Sequence, residues 1–412
     1  MIDFTFPPDV EDIRQRVREF MTTVVKPAEG DLTIERHEPE GRGRLIRTIV
    51  ELRGKAKEWG LWLPHMPAEF GGMGLGPTAM AALSAECART SLGPFVLNCQ
   101  APDEGNMHTL LHFGTPEQKE KYLRPLCDGY QRSCFAMTEP EVAGSDPTLI
   151  QTRAVKEGDH WVVNGHKWFI SGARGAQFAI LIAKTDPEAD PPQARNSAFL
   201  VDLPAEGWEV VRDVETMAGG HNHCEIRIEN LRLPDSAILG GRGQGHRLGQ
   251  VRLGPARLAH CMRWIGQVET ALEMLVDRAT KRFAHGSLLA EKQGIQWMVS
   301  ESAMELYAAK LMVLHAAFLI EHGKPFNTEV SMCKYHVANT LWRTVDRAIQ
   351  VHGALGYSKD TPLAGMLLQA RWSRFADGAD EVHLMRIAGN VIDTYKKTGS
   401  LDGAFGHLPV FL

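Results

Sequence analysis

Two stretches of the chain combine apolar and aromatic side chains with hydroxyls and turn residues. The first is Cys134 to Asp146, which reads CFAMTEPEVAGSD, and the second is Asn164 to Ala173, which reads NGHKWFISGA. A flat conjugated ligand needs an apolar or aromatic wall, with hydroxyls and backbone amides at its polar rim. Together the two stretches therefore predict the floor of a binding pocket. The alternative from the pattern alone is a β-hairpin with ordinary turn residues.

A second group of candidate residues lies near the C-terminus, in the segment RFADGADEVH. Asp377 stands beside Gly378 there, and Asp380 and Glu381 follow. A positioned carboxylate can act as a general base. An acid beside a glycine on a surface loop is, however, more often only part of a turn. The residues alone leave both interpretations open.

Two further patterns suggest ligand binding but lack the context for it. The glycine-rich run from Gly240 to Gly245 is not placed inside a βαβ unit, because long helical patterns follow it, so a flexible linker is the better interpretation. His221, His223 and Cys224 are potential metal ligands. Adjacent strand residues point to opposite faces, so at most two of them could converge, and no second cluster supplies the rest. We therefore predict no metal site.

The seven cysteines are scattered, odd in number and never in C-x-x-C spacing. This distribution predicts reduced thiols that serve as small buried hydrophobes, without a disulfide framework or a zinc site. The sequence contains no C-x-x-C pair and no nicotinamide-binding motif that could act as a redox centre.

Length and composition limit the class of protein. A chain of 412 residues is too long for one ordinary core, so two or three packed units are expected. A composition of 44% hydrophobic and 23% charged residues is typical of soluble globular proteins, and no uninterrupted apolar run reaches the ~18 residues of a membrane-spanning helix. The net charge of −5, without a long run of Lys or Arg, argues against nucleic acid as the main partner. The opening residues MIDFTFPPDVEDIRQ resemble neither a signal nor a transit peptide, so a cytoplasmic location is expected.

Hydrophobic periodicity predicts helices on both sides of a β region. Residues 9 to about 130 read mostly as helices, including a helix that starts with Pro116 at its first position. After Gly245, two long amphipathic patterns predict helices of an antiparallel bundle, the second capped by Asn327. Their predicted buried faces are Ile295, Met298, Leu306, Ala309, Val313, Ala317 and Ile320, and Val330, Cys333, Val337, Leu341, Val345 and Ala348.

The β region runs from Cys134 to about Pro234 and predicts a small, mostly antiparallel unit. Its predicted strands are 152–155 and 161–163, which form a hairpin, and 178–183, 197–201 and 225–231. The fold class is therefore α+β. The predicted domains are an N-terminal helical domain at 1–133, a middle β domain at 134–240 and a C-terminal helical domain at 241–412.

Several of these motifs, in this order, resemble the acyl-CoA dehydrogenase family. They are TEPEVAGSD and NGHKWFISGA, a P-x-x-F-G-G-x-G loop from Pro67 to Gly74, the helix start GTPEQK, an Arg282 to Gln293 segment, the loop QVHGALG and the segment ADGADEVH. The resemblance spans about residues 10 to 395 and implies a middle antiparallel β domain and a C-terminal four-helix bundle. Within the family, segments such as RLGPAR and CMR are most similar to the branch of the human members ten and eleven.

The chain departs from the usual family motifs at several positions. The first motif is one residue longer between its proline and glycine, and Phe169, His285 and Ala354 stand where the family usually has Trp, Phe and Gly. In another family branch the catalytic Glu directly precedes the Arg that corresponds to Arg257. Ala256 occupies that position here, so that alternative base is absent.

The resemblance implies an FAD-dependent acyl-CoA dehydrogenase that introduces an α,β double bond into an acyl-CoA thioester. Removal of the α-proton requires a carboxylate, for which the family aligns Asp377. The β-hydrogen leaves as a hydride, which no side chain can accept, so a flavin is needed. The charge on the thioester oxygen then needs hydrogen-bond donors, which by resemblance are the Asp377 amide and a ribityl hydroxyl.

The site residues are carried over from the family motifs. The resemblance assigns to FAD the residues Phe135, Met137, Thr138, Phe169, Ile170, Ser171, Arg282, Gln293, Gln350, Gly353, Asp380 and Glu381. It assigns to acyl-CoA the residues Ser145, Arg257 and Gly378. Among the flavin residues, Arg282 and Gln350 would reach the flavin of a neighbouring subunit.

The same resemblance implies the partners. They are an acyl-CoA substrate, an electron-transferring flavoprotein that accepts the electrons, and further copies of the chain in a homodimer or homotetramer, with a place in fatty acid β-oxidation. The branch is associated with longer or 4-hydroxylated acyl chains. Two alternatives remain: an acyl-CoA oxidase that uses oxygen, and a flavin-free homologue that acts as a binding protein.

Overall fold

The computed structural model describes residues 5–30, 39–219 and 222–405. Its helices are α1 Pro8–Phe20, α2 Lys26–Gly30, α3 Pro39–Glu58, α4 Pro77–Cys87, α5 Gly93–Val96, α6 Asp103–Phe113, α7 Pro116–Gln118, α8 Arg124–Asp128, α9 Gly245–Lys281, α10 Gln293–Glu321, α11 Asn327–His352, α12 Ala354–Tyr357, α13 Leu363–Ser373 and α14 Asp380–Thr398. Short π-helical segments, Met21–Val25 and Lys119–Leu123, continue α1 into α2 and α7 into α8.

The strands are β1 Ser133–Ala136, β2 Arg153–Glu157, β3 His160–Ser171, β4 Phe178–Lys184, β5 Asn196–Asp202, β6 Trp208–Asp213, β7 His223–Pro234, β8 Ile238–Leu239, β9 Phe283–Ala284 and β10 Ser287–Leu288. Eight of them form one sheet in the order β6-β7-β3-β2-β4-β5-β8, with β1 paired beside β4. Its pairs are antiparallel except β1 with β4 and β2 with β4. The α+β fold class with a mostly antiparallel middle region is confirmed.

The chain divides into two compact units. Unit 1 comprises the described residues of Met1–Leu61, Leu75–Leu97 and Arg257–Leu412, and unit 2 comprises Trp62–Gly74 and the described residues of Asn98–Ala256. The N-terminal helices are thus shared between the two units, and the border near the C-terminal helices falls inside α9. The domain borders predicted from the sequence, at residues 133 and 240, divide the chain into consecutive segments, and they stay predictions.

Strand β4 lies between the two cores of unit 2. Phe178, Ile180 and Ile182 belong to a core formed with the helices of the unit, whereas Ala179 and Leu181 face the core of the opposite sheet surface. Because both faces of the strand are buried, its sequence is a continuous apolar run instead of an alternating one. The apolar run predicted from 178 to 183 is confirmed as this strand.

Unit 1 is built around α11, which packs against α10, α13 and α14. All six predicted core residues of α11 are buried. On α10, Leu306, Ala309, Val313 and Ala317 are buried as predicted, while Ile295, Met298 and Ile320 are half-buried. Helix α9 approaches α4 so closely that a Cβ on Gly266 would lie 2.0 Å from the Ala85 carbonyl oxygen.

One predicted cap is wrong and another helix start is confirmed. Asn327 is the first residue of α11, and Phe326 occupies the N-cap position without a side-chain hydrogen bond. Pro116 does open α7, where Thr115 forms a capping box with Gln118. Strand β6 was not predicted, because Trp208–Asp213 is a half-exposed strand whose apolar pattern is weak.

Helix α10 is long and apolar enough to span a membrane by length and composition alone, with a mean hydropathy of 1.5 over its best window. Only 28% of that window is buried within the chain. The helix packs against α11 and α4 in unit 1. Core helices of bundles share this composition, so the pattern alone does not indicate a membrane span.

Candidate active site

The two motif stretches of unit 2 lie side by side. The Trp168 amide donates to the Thr138 carbonyl at 3.0 Å, and the Thr138 hydroxyl donates to the Trp168 carbonyl at 2.6 Å. Strand β1 ends just before Thr138, and β3 carries Trp168 at a bulge in its pairing with β7. These bonds join the end of β1 to the bulge of β3.

The bulge includes a residue with an unusual backbone conformation. Phe169 has a φ of 54°, a left-handed conformation that is uncommon for a bulky residue. Its ring lies 4.8 Å from the Trp168 ring, edge to face, and 5.4 Å from the His223 ring. The Ser171 hydroxyl is 2.9 Å from His223 Nδ1. Strained backbone of this kind often marks a functional surface.

The predicted flavin residues of unit 2 share an intermediate exposure, with one exception. Phe135, Met137, Thr138, Phe169 and Ser171 are half-buried. Ile170 instead packs its side chain into the sheet core, so only its backbone could contact a ligand. Ser145 lies on the exposed loop after β1.

A buried ion pair lies directly beneath this face. Lys167 Nζ is 2.8 Å from Glu139 Oε1 and donates to the Met137 carbonyl at 2.9 Å. Burial lowers the pKa of Lys167 to about 8, although the Glu139 carboxylate opposes this shift. Burial acts to raise the pKa of Glu139, but Lys167 and hydrogen bonds from Thr152 and Gln151 outweigh it and lower that pKa. The pair therefore fixes the backbone that carries Met137 and Thr138.

In unit 1, Asp377 stands on a tightly held loop between α13 and α14. Its φ is 53° and that of Gly378 is 116°, so two successive residues have left-handed backbone. Arg257 Nε donates to the Asp377 carbonyl at 2.7 Å, and Lys334 Nζ donates to the carbonyls of Ser373 and Gly378 at 2.6 and 3.3 Å. The Asp377 side chain keeps 26% exposure. The loop thus presents a partly exposed carboxylate on a fixed backbone.

The two histidines nearest to this loop are both buried. His260 Nε2 is 3.3 Å from Asp377 Oδ2. A Cβ on Gly378 would lie 2.8 Å from His383 Nε2, so a residue larger than glycine does not fit there without displacing that ring. Burial lowers the pKa of His383 to about 3, with smaller contributions from Lys334 and Arg257, so this ring stays neutral.

Asp380 and Glu381 differ in their environments. Asp380 is buried at the start of α14, where its Oδ2 accepts from Arg374 Nε at 2.8 Å and from Asn339 Nδ2 at 3.1 Å. Its Oδ1 has no hydrogen-bond partner among the described residues. Glu381 is exposed. Asp380 therefore also anchors the Asp377 loop, since Arg374 and Asp380 flank it.

The remaining predicted flavin residues lie at another part of unit 1. Arg282 follows α9, Gln293 begins α10, and Gln350 and Gly353 lie at the end of α11. One apolar cluster joins these three helix ends through Leu275, Ala279, Ile295, Met298, Ala348 and Val351. All four predicted residues are exposed. They therefore form an outward-facing group at one end of the bundle.

This end of the bundle is remote from the Asp377 loop. Lys334, which holds that loop, precedes Gln350 by four to five turns of α11, which corresponds to ~24 Å of helix. The two groups of predicted residues therefore cannot meet around one small ligand.

The potential metal ligands and the cysteines do not form a metal site in the part of the chain that the structure describes. No group of three or more His, Cys, Asp or Glu side chains suited to a metal occurs in the described ranges 5–30, 39–219 and 222–405. His221 lies outside those ranges, and His223 and Cys224 stand on β7. All seven cysteines are buried and none is disulfide-bonded.

Four important side chains were not predicted: His260, Lys334, Lys167 and Glu139. Lys334 does carry a signal in the sequence, because it stands four residues after Val330 and three before Val337, within the apolar face of α11. His260 is three residues after Arg257, on the same side of α9. Neither spacing, however, identifies the partner on the distant loop.

FAD fits the chemistry of the unit 2 face. An aromatic and thioether surface suits a conjugated ring, while hydroxyls such as those of Thr138 and Ser171 suit its polar edge. The exposed Arg282 and Gln350 suit a pyrophosphate and a nucleoside, because a guanidinium binds phosphate and an amide both donates and accepts.

Comparisons with known proteins agree with these observations. Three family profiles match: the acyl-CoA dehydrogenase N-terminal domain at residues 7–130, the middle domain at 134–231 and the C-terminal domain at 243–392. A Mycobacterium tuberculosis protein named "Probable acyl-CoA dehydrogenase FadE2" is 40% identical over 96% of this chain and 98% of its own length.

Longer relatives and a solved structure match as well. Acyl-CoA dehydrogenase family member 10 of Mus musculus is 38% identical over 92% of this chain and 37% of its own length. Family member 11 of Homo sapiens is 34% identical over 92% and 50%. The chain thus spans about half or less of these two relatives. A solved Mycobacterium abscessus structure, described as an acyl-CoA dehydrogenase, has a TM-score of 0.89 and 36% identity over 95% of this chain and 100% of its own. The chain belongs to the acyl-CoA dehydrogenase family.

Proposed function

We propose that this protein is an FAD-dependent acyl-CoA dehydrogenase, with Asp377 as the base that takes the α-proton of an acyl-CoA thioester. The supporting observation is the Asp377 loop, which combines a partly exposed carboxylate with a backbone held by the buried Lys334 and the half-buried Arg257. A base must be accessible and fixed in position at once, and this loop provides both properties.

Each group of the chain has a distinct part in this proposal. The face formed by Phe135, Met137, Thr138, Phe169 and Ser171 would hold the isoalloxazine ring. When bound, FAD would supply the acceptor for the hydride that leaves the β-carbon. Arg257 and Ser145 would bind the coenzyme A part, and Gly378 would leave room for the thioester because it has no Cβ.

Asp377 must reach the α-carbon although its side chain is one methylene shorter than that of the usual Glu. The difference is roughly 1.5 Å of reach. The left-handed backbone at Asp377 and Gly378 changes the direction in which the carboxylate projects. A displacement of about 1 Å would cost on the order of 100-fold in rate, so the loop anchors are part of the proposed machinery.

The function is tested by replacing Asp377 with Asn and mixing the purified, flavin-loaded variant anaerobically with acyl-CoA thioesters. Loss of a general base should slow flavin bleaching by at least about 100-fold, with acyl-CoA binding nearly unchanged. Asp393→Asn, which neutralises an exposed carboxylate on α14, is the matched control and should bleach normally. Bleaching of the Asp377→Asn protein at the wild-type rate would mean that another residue is the base.

We further propose that the chain assembles into a homodimer or homotetramer in which Arg282 and Gln350 bind the flavin of a neighbouring subunit. Their exposure at the end of the bundle away from the Asp377 loop supports this arrangement. Large exposed apolar side chains on α10 and α14 also suit burial against another copy: Trp297, Met304, Tyr307, Phe318, Met385, Ile392 and Tyr395. A flavin-loaded monomer in light scattering would contradict the proposal.

The electrons would pass to an electron-transferring flavoprotein, because the sequence shows no second redox site. Oxidation of the reduced protein by oxygen as fast as by that partner, with release of peroxide, would instead favour an oxidase. A purified protein without the yellow colour of flavin would favour a binding protein. The acyl group is tested with a panel of thioesters of different length, with and without a 4-hydroxyl. The cytoplasmic location and a role in β-oxidation stay predictions.

A further inference from the structure

The loop of residues 137–150, which follows β1 in unit 2, carries both Thr138 and Ser145. Its middle part, residues 141–146, is exposed apart from one half-buried valine. A Cβ on Gly144 would lie 3.3 Å from Thr138 Cγ2, so the loop folds back over Thr138. A cavity of about 200 Å³ lies within the loop and is lined by residues between 137 and 150. Because the loop borders a cavity, polar contacts have a large part in fixing its position.

His166 joins this loop to the sheet through both nitrogens of its ring. Its Nδ1 is 2.6 Å from Oε1 of Glu141, which stands in the exposed part of the loop. Its Nε2 is 3.0 Å from Oε1 of Glu225 on β7. The other oxygen of Glu225 accepts from Arg212 Nε on β6 at 2.6 Å. His166 is itself part of β3, so its ring connects a carboxylate fixed on the sheet with a carboxylate on the loop.

The two partners determine the charge of the ring. An ionised carboxylate only accepts hydrogen bonds, and a neutral imidazole has a single N–H, so both contacts are hydrogen bonds only when His166 is charged. Burial acts to lower the pKa of His166, but the hydrogen bonds with Glu141 and Glu225 outweigh it and raise that pKa above its usual value of 6.5. Burial acts to raise the pKa of Glu225, but its hydrogen bonds with His166 and Arg212 outweigh it and lower that pKa.

We propose that His166 is a positioning residue for the loop that carries Ser145, and this inference rests on the proposed dehydrogenase function. The charged ring holds Glu141 against the sheet and keeps Ser145 in place for the coenzyme A part of the substrate. Loss of the proton removes the charge and one of the two N–H donors, so the loop is held less firmly. This contribution is full below about pH 6.5 and is lost as the pH rises through the raised pKa of His166. The binding of acyl-CoA should weaken over the same interval.

The neighbouring charged and titratable groups keep their charge in that interval. Besides Glu141 on the loop, they are Arg153 on β2, Glu209 and Arg212 on β6, and His223, Glu225 and Arg227 on β7. Burial lowers the pKa of His223, so this ring is neutral there. Carboxyl groups ordinarily titrate below the interval and guanidinium groups above it. A change in the loop between about pH 6.5 and pH 9 therefore reports on His166.

The first test follows hydrogen exchange by mass spectrometry in a peptide that covers residues 139–150, at a series of values from about pH 6 to about pH 9. At the low end the peptide should exchange roughly 2- to 5-fold faster in His166→Gln than in the wild type, as expected for a partly exposed ion pair. The ratio should approach one at the high end. The peptide has the same sequence in both proteins, so the chemical exchange rate cancels. His160→Gln, which removes an exposed histidine beside Asp159 on the same strand, is the matched control and should exchange as the wild type does.

Two further variants identify the charge as the cause. Glu141→Gln removes the carboxylate of the loop and should lose the same pH dependence. His166→Arg keeps a cation at every pH of the series, so the peptide should stay protected at both ends. A ratio between His166→Gln and the wild type that is constant across the series would show a merely structural role and overturn the proposal. Protection that His166→Arg loses with rising pH would also overturn it, because a guanidinium does not titrate there.

The second test measures the binding of coenzyme A by calorimetry over the same pH series. The affinity of the wild type, divided by that of His166→Gln, should fall roughly 2- to 5-fold from the low end to the high end. The comparison of two proteins cancels the titration of coenzyme A itself. The same pH dependence in both proteins would overturn the proposal, because the bridge would then not position the coenzyme A loop. If coenzyme A bound at no pH while the exchange results were as expected, the proposed function would fail and the bridge would hold the loop without serving this substrate.

Discussion

Replacing Lys167 with methionine should destabilise unit 2 more than any surface charge change. The substitution keeps an unbranched side chain of similar length but leaves the buried Glu139 carboxylate without its cation. It also removes the donor to the Met137 carbonyl. Breaking a buried ion pair in this way typically costs about 3–5 kcal/mol. Glu139 keeps hydrogen bonds from Gln151 and Thr152, so we expect a cost near the lower value, about 3 kcal/mol.

Hydrogen exchange followed by mass spectrometry can measure this cost. In peptides that cover β3 and residues 139–152, a loss of about 3 kcal/mol should accelerate exchange on the order of 100-fold, since each 1.4 kcal/mol is a factor of ten. Lys156→Met is the matched control, because Lys156 pairs with Asp235 at the surface. An exposed pair is worth ~0–1 kcal/mol, so exchange should change little there.

The stability cost of Lys167→Met should depend on pH, and the direction of the change can be worked out. In the wild type the lowered pKa of Glu139 contributes stability above the usual carboxyl range, and that stability is lost only as the pH falls through the lowered value. At pH 7 the Lys167 side chain, with a pKa of about 8, is charged. Without it, only the hydrogen bonds from Gln151 and Thr152 oppose the effect of burial, so the pKa of Glu139 should be higher than in the wild type. The cost of Lys167→Met should therefore be larger at pH 7 than at pH 5.

The double variant Lys167→Met with Glu139→Gln distinguishes charge from packing. A neutral amide needs no cation, so the double variant should be more stable than the sum of the two single changes predicts. Two outcomes would refute the view that the pair holds the Met137 and Thr138 backbone. One is that the costs of the two single changes are additive. The other is that these peptides exchange in the Lys167→Met protein as they do in the wild type.

Two further predictions concern unit 1. Gly378→Ala should slow flavin bleaching at least about 10-fold with flavin still bound. The new methyl group would lie 2.8 Å from His383 Nε2, and the backbone has a φ of 116°, which alanine rarely adopts. A wild-type bleaching rate would show that the loop can shift at no cost. Arg282→Ala combined with Gln350→Ala should weaken flavin retention, measured as the flavin to protein ratio after dialysis, without lowering the thermal midpoint of the apoprotein. Unchanged retention would contradict the proposed binding across subunits.

The elements that could be predicted from the sequence are those governed by local periodicity. The run Phe178 to Ala183 and the apolar face of α11 repeat at the intervals of their own secondary structure, so both were found. The cap at Asn327 was wrong because Asn is equally accommodated in the first turn, and only the backbone geometry separates these two positions.

The contacts that organise the site could not be predicted in the same way. Thr138 and Trp168 are 30 residues apart, Lys334 and Gly378 are 44 apart, and Arg257 and Asp377 are 120 apart. No periodicity links positions at such separations, and only tertiary packing decides which ones meet. A lysine within an apolar helix face signals that a buried partner exists, but the sequence does not name that partner.

Because every cysteine is buried, the reactivity of the thiols reports on local opening of the structure. Burial raises the pKa of Cys127 and Cys261 to about 12 and that of Cys224 to about 11, so thiolates form rarely in the closed state. Cys87, Cys261 and Cys333 belong to unit 1, whereas Cys99, Cys127, Cys134 and Cys224 belong to unit 2. Pulsed alkylation followed by peptide mapping would therefore measure the rate of local opening in each unit separately, without any engineered label.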